Sequence, residues 1–479
     1  MKRPNVLWIC TDQQRFDTLG CYGNRFVRTE NLDRLAGKGV QFLHAFAQST
    51  VCTPSRASFL TGRYPRTTRC RQNGQSIPAD EVLVTRLLRD AGYACGLSGK
   101  LHISACHPDV CATMERRIDD GYNDFHWSHH PGPGWATNEY MDWLHGRGVE
   151  LTRTRFRGFP HVKVGVRAEH HQTTWCADKA IAFMKANAST GRPWLFSVNI
   201  FDPHHSFDPP MEYLQRYLDR LDEVPLPNYV DGELDNKPVW QRIDAAGAYG
   251  GRHGYVSAEM TGEEHRLLRA AYWAMVDLID DQVGRMLEVL DETRQLEDTI
   301  VIFMSDHGEM LGDHGIYLKG CYFYEPAVRV PLVVSMPGTV RCGCRSRALV
   351  ELVDLAPTLL DAAGLPRHPG MQGRSLWRLL TGDADADYHR DDVYCEYYNA
   401  NQNYETAAHA TMVRSDRHKL VVGHGTGGGE LYDLEDDPNE THNRWDEPEH
   451  RNVKLTMMNR LCDRMAWTVD PLLVRDGPW

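Results

Sequence analysis

At 479 residues, with 42% hydrophobic and 25% charged residues, the chain has an ordinary globular profile. It exceeds the length at which one hydrophobic core stops growing, so a large domain and a smaller one are expected. A formal charge of -12 without a Lys/Arg-rich run argues against nucleic acid as the main partner, and an anionic substrate must then be drawn in by a local positive site.

In chain order, the apolar run at 5–10 follows only four residues and leads straight into Thr11-Asp12. It is too short for the core of a signal peptide and reads as a first core strand over 6–10. The periodicity predicts a helix over 81–91 that stops at Gly92, then strands over 93–97, 194–200 and 299–304. Between the last two, 262–292 is a long amphipathic helix carrying Leu267, Ala271, Met275, Leu278 and Ile279 on one face. After about 375 the pattern changes to short strands (393–398, 419–422, 431–434) and a final helix over 449–467. Segments 104–167 and 224–256 read as insertions with weak periodicity. Trp127, Trp135 and Trp143 in the first would either stack on a substrate ring or pack internally. The fold expected is an α/β sandwich with a mostly parallel central sheet over 1–375 and a smaller α+β domain with a short antiparallel sheet over 376–479. Apolar runs of strand length, broken by polar residues, leave no membrane span. The 13 scattered cysteines, odd in number, differ from the framework of a small secreted domain, and a reducing cytoplasm is expected.

Polar clusters sit where the strands end: Asp12-Gln13, Lys100 with His102, Asp202-Pro-His-His, and Asp306-His307. Ligands of open α/β sheets bind beyond the carboxyl ends of the strands, so these clusters point to one converged site. His102, Cys106, His107 and Cys111 are close enough to suggest zinc, but no second pair stands at a typical distance.

Cys52-Thr53-Pro54-Ser55-Arg56, continued by Leu60-Thr61-Gly62-Arg63, resembles the signature of the formylglycine-dependent (type I) sulfatases of the alkaline phosphatase superfamily. Segments 272–287, 353–360 and 430–434 with Asp437-Pro438 look like family segments too, so the resemblance covers most of the chain outside the insertions. It implies an alkaline-phosphatase-like sandwich and hydrolysis of sulfate esters. It also implies that a formylglycine-generating enzyme oxidises Cys52 to an aldehyde. One hydroxyl of the aldehyde hydrate attacks and the other lets the anion leave, a route closed to serine. The family's metal ligands match Asp12, Asp306 and His307, with the Cys52-derived group alongside, and Gln13 stands where many members carry a second Asp. Such a set suits Ca²⁺, with Mn²⁺ or Mg²⁺ as alternatives. Arg56 and Lys100 match charges beside the diol and the transferring group. His102 matches a contact to the diol, His204 the histidine that meets the leaving oxygen, and Lys319 the lysine that bridges to the leaving group. The Asp-Gln start, and Asn73 as a substrate contact, resemble the phosphonate monoester hydrolase and phosphodiesterase branch, whereas Lys100 and His102 favour sulfate. Three readings follow: a sulfatase acting on a small anionic ester, a phosphonate or phosphodiester hydrolase with the same machinery, and a metal-containing binding protein without catalysis. Oligomeric state stays open.

Overall fold

The computed structural model describes residues 3–401, 404, 407–472 and 474. At its centre lies a nine-stranded sheet. The strands are β1 (Asn5–Thr11), β2 (Val40–Phe46), β3 (Ala94–Gly99), β4 (Asp124–Trp127), β5 (Trp194–Asn199), β6 (Thr299–Ser305), β7 (Arg329–Val330), β8 (Leu332–Ser335) and β9 (Cys344–Glu351). They run in the order β9-β2-β8-β6-β1-β5-β3-β4, with β7 beside β2. Only the pairings of β7 and β8 are antiparallel.

β1 is apolar on both faces because helices cover both. Leu7 and Ile9 pack with the helices Gln172–Asn187 and Gly262–Glu292, while Val6, Trp8 and Cys10 pack with Cys52–Thr61 and Leu355–Ala362. The long helix keeps the expected bounds, opened by a capping box in which Thr261 and Glu264 satisfy each other's backbone N–H groups. The 81–91 helix is shorter than expected, Val84–Asp90, because Glu81 turns aside to an ion pair with Arg63 at 3.1 Å.

The C-terminal part forms a four-stranded antiparallel meander, β10 (Asp392–Tyr398), β11 (His409–Ser415), β12 (His418–Gly423) and β13 (Gly429–Asp433). One face packs on Met457 and Leu461 of the final helix Arg451–Trp467, and the other on Phe46, Val51 and Leu349 beside the central sheet. Among the described residues no helix is long and apolar enough to cross a membrane.

Register fixes where the site is built. Cys10 lies level with Asn199 and Met304, Thr11 with Ser305, and Asn199 with Gly99. Parallel strands in that register send their carboxyl ends to one edge at one height. Segments far apart in sequence therefore emerge side by side.

Candidate active site

Cys52 is the first residue of the helix Cys52–Thr61, reached from the end of β2. Its N-cap, Val51, has no capping side chain. The cap comes from elsewhere: Asn73 Oδ1 accepts the Thr53 backbone N–H at 3.0 Å. Asn73 thus holds the start of this helix, and it also lines the cavity above it. The helix N-terminus adds its positive end to the cations around Cys52.

Those cations come from the segments that follow three strands. Lys319 Nζ is 2.9 Å and Lys100 Nζ 3.7 Å from Cys52 Sγ. Arg56, fully buried, places Nε 2.8 Å from Asp306 Oδ2 and Nη2 3.3 Å from Asp12 Oδ2, an oxygen it shares with Lys100. Burial pushes the Asp12 carboxyl up, but Lys100, Lys319 and Arg56 outweigh it and hold the group well below the usual carboxylate range. Burial and Asp12 push the Cys52 thiol up, and Lys100 and Lys319 bring it below its ordinary value. Gly99 leads into Lys100 with φ +96°, and a Cβ there would sit 2.0 Å from the Asn199 carbonyl oxygen, so only glycine lets β3 and β5 end together.

Beside these cations, Asp12, Cys52, Asp306 and His307 offer ligand atoms all within 4.8 Å of one another. His307 Nδ1 donates to the Gly308 carbonyl at 2.9 Å, which fixes the tautomer with Nε2 as the acceptor, 3.2 Å from Cys52 Sγ. Asp12 Oδ1 faces Cys52 at 3.6 Å. Gln13 Oε1 is a buried acceptor without a hydrogen-bond partner among the described residues. Two carboxylates and one imidazole nitrogen beside the thiol, with an orphaned amide oxygen on the residue next to Asp12, fit a hard divalent cation.

Further out, His102 Nε2 meets Thr53 Oγ1 at 3.2 Å. Its backbone has φ 52°, the left-handed region. Glu115 holds that turn by accepting the backbone N–H groups of His102, Ile103 and Ser104 at 2.8, 2.9 and 3.2 Å. His204 Nδ1 donates to the His205 carbonyl at 2.6 Å, so its Nε2 is an acceptor in the neutral ring. Sequence reasoning missed Glu115, which lies in an insertion without periodicity.

Above the cluster is a cavity of about 680 Å³. The two insertions supply most of its upper wall, including His129, His130, Arg153 and His161 from the first and Tyr249 and Tyr255 from the second. The tryptophans of the first insertion do not line it: Trp127 and Trp135 are buried against each other, and Trp143 stacks on Tyr140. None of the described residues lining the cavity is a carboxylate, whereas Lys100, Arg153 and Lys319 do line it.

The cavity histidines are held neutral. Burial, then Lys100, lowers His130 to about 4, and burial takes His102, His129, His204 and His205 well below their usual range. Between about pH 6.5 and 4 the unfolded chain carries a proton on His130 that the folded chain does not, so this residue costs stability as pH falls. Asp244 and Asp280, raised to about 7 by burial, act with the opposite sign, so the net profile does not isolate His130. His130→Gln does: its Tm relative to wild type should improve between pH 7 and pH 5. An unchanged difference would refute the neutral assignment.

Comparison with known proteins agrees with this geometry. The Sulfatase family model matches residues 4–365, and the model for the C-terminal part of N-sulphoglucosamine sulphohydrolase matches 312–466. Among curated relatives, the sulfatase YidJ of Escherichia coli is 30% identical over 98% of this chain and 89% of its own. A choline-sulfatase of Rhizobium meliloti is 29% identical over 93% and 83%. Among solved structures, a phosphonate monoester hydrolase of Silicibacter pomeroyi superposes with a TM-score of 0.85 at 26% identity, covering 98% of this chain and 97% of that one. With three quarters of its length matched by the family model and every strand-end cluster in place around Cys52, the chain belongs to the sulfatase family.

Proposed function

We propose that the protein hydrolyses sulfate esters at Cys52, the reading best supported by one observation: a helix-start cysteine, itself one of four clustered donors, lies within reach of two lysines in a cavity with no carboxylate among its described lining residues. On this reading Cys52 is converted to formylglycine, whose hydrate supplies a nucleophilic hydroxyl and a second hydroxyl through which the anion is released. Asp12, Gln13, Asp306 and His307 would hold a divalent cation, Ca²⁺ in the first instance, which supplies Lewis-acid charge to the transferring group.

The chain's own residues do the rest. Lys100 and Arg56 set fixed positive charge behind the reacting centre, where burial strengthens it. His102 holds Thr53, next in sequence to the nucleophile. Asn73 holds the same helix start and presents its amide to the cavity. Lys319 Nζ lies 2.9 Å from Sγ and 3.2 Å from His307 Nε2, placed to hand a proton to the leaving oxygen. His204, an acceptor at Nε2, orients a leaving-group hydroxyl and leaves the proton to Lys319. The cations lining the cavity favour a neutral or anionic leaving group over a cationic one, and choline sulfate should be a poor substrate.

We read residues 1–375 as the catalytic domain and 376–479 as a smaller domain that completes the site, since Asn401 lines the cavity. All 13 cysteines are free, which supports a reducing cytoplasm. A second reading, phosphonate monoester or phosphodiester hydrolysis, is favoured by Gln13, which makes the ligand set one charge less negative than two aspartates, and by the Silicibacter pomeroyi neighbour. The deciding experiment is kcat/KM for an aryl sulfate and the matched aryl phosphonate monoester, with conversion of Cys52 checked by mass on the tryptic peptide 39–56. Preference for sulfate is expected. Preference for the phosphonate would move the protein to the second reading, and no turnover of either by converted, metal-loaded protein would sink both.

A further inference from the structure

Gln13 is an unusual choice for a ligand position, because an amide has two ends of nearly equal shape and only one of them can face a cation. Its backbone is already clamped. With φ 64° it lies in the left-handed region, its N–H donates to Asp306 Oδ1 at 3.0 Å, and its carbonyl accepts the Tyr272 hydroxyl at 2.5 Å. That clamp sets the direction of the side chain but not which end of the amide points where. The amide end is set by Glu309, a fully buried residue whose Oε2 accepts from Gln13 Nε2. Its other oxygen, Oε1, accepts the backbone N–H groups of Leu311 and Leu318 at 2.9 and 2.5 Å. Every neighbour hydrogen-bonded to this carboxyl group is therefore a donor, and a carboxylate, which only accepts, satisfies them all. Gln13 must then turn its NH₂ to Glu309, and its Oε1 is left buried without a partner.

We propose that Glu309 is a positioning residue that makes Gln13 a cation ligand by fixing its amide orientation, and that the same carboxylate ties this choice to Lys319 through the preceding residue, Leu318. The inference rests on the metal-site reading above. Its physical content is a pairing rule. Glutamine at 13 needs an acceptor at 309. Aspartate at 13 needs no orienting, and beside Glu309 it would place two carboxylates together, so it needs a donor there.

Glu309→Gln leaves one acceptor oxygen where the site uses two. Either the Leu311 and Leu318 N–H groups lose their partner, or Gln13 faces a competing NH₂ and turns its own toward the cation. The paired change, Q13D/E309Q, restores both requirements, with the amide introduced at position 309 donating to the new carboxylate at position 13.

The test is calorimetric titration of metal-free full-length protein with CaCl₂ alone, together with the Tm of each metal-free variant as a control for folding. E309Q should bind Ca²⁺ about 10- to 100-fold more weakly than wild type, and Q13D/E309Q should return to within about tenfold of wild type. Equal binding by E309Q and wild type would overturn the inference. So would E309Q and the double variant being equally weak, because that is the pattern of a general loosening of 311–318. Wild-type protein that binds neither Ca²⁺ nor, in parallel titrations, Mn²⁺ or Mg²⁺ would overturn the metal-site reading itself, and this inference with it.

Discussion

Cys52→Ala should lower kcat/KM for the preferred ester by at least about 10⁴-fold, because the variant loses the proposed nucleophile at the start of the helix. The cations around residue 52 remain in that variant, so substrate binding should suffer far less than turnover. Cys52→Ser separates the two halves of the reaction. A serine hydroxyl can attack sulfur and expel the alcohol, but it has no second hydroxyl, and the sulfated enzyme then waits for water to attack a crowded centre. The expected result is one equivalent of alcohol released in a burst, followed by a stalled adduct visible by mass on peptide 39–56. Steady turnover by Cys52→Ala would end the proposed mechanism, whatever the substrate.

Removing the divalent cation should have the next largest effect. The two carboxylates Asp12 and Asp306 already face three buried cations, Arg56, Lys100 and Lys319. Without a metal ion, Asp12 is held by Lys100, Arg56 and, at 4.0 Å, Lys319, and the face toward Cys52 loses its strongest charge. A Lewis acid at a transferring oxyanion contributes several kcal/mol, so exhaustive chelation should lower kcat by about 10³-fold or more. Readdition of Ca²⁺ should restore it. The same titration should raise Tm, by the equivalent of about 2.7 kcal/mol when the ion is at 100 times its Kd. Full activity after chelation, with metal content verified, would remove the cation from the mechanism. Restoration by Mn²⁺ or Mg²⁺ but not Ca²⁺ would change its identity.

Much of this architecture was legible before any coordinates. β1, β5 and β6 are continuous apolar runs because both faces are covered, and their polar ends stand out against that background. The helix Gly262–Glu292 announces itself through its apolar period. Other strands were not legible. β2 and β9 mix His, Gln and Arg with apolar residues, β8 spans four residues, and β11 carries His and Thr among its apolar positions. Pairing partners settle such segments, and partners lie outside any local window.

The site divides in the same way. Residues at strand ends could be named from sequence because the fold dictates where they go. The wall of the cavity could not: Arg153 is held by Asp208 and by the Pro131 carbonyl, and His161 by its ring contact with Tyr255 at 4.1 Å, all tertiary accidents of two insertions. Glu309 is the instructive middle case. It stands beside a recognisable motif, but its partner is Gln13, so its role could not be read until the two were brought together. The signal that was available was chemical: an amide at a ligand position needs something to orient it.

The helix that begins at Cys52 has all of its ten residues buried, and Cys52 itself is 1% exposed. A modifying enzyme has to grip the chain on either side of the thiol, and that grip would require Thr53 to Arg56 to leave the interior of a finished sheet. On the proposed conversion, the fate of this residue would therefore be decided while the nascent polypeptide is still open. A molecule that closed first would keep its thiol for the rest of its life. The specific activity of any preparation would then record a race within the producing cell, between maturation and collapse, as much as the quality of the purified protein.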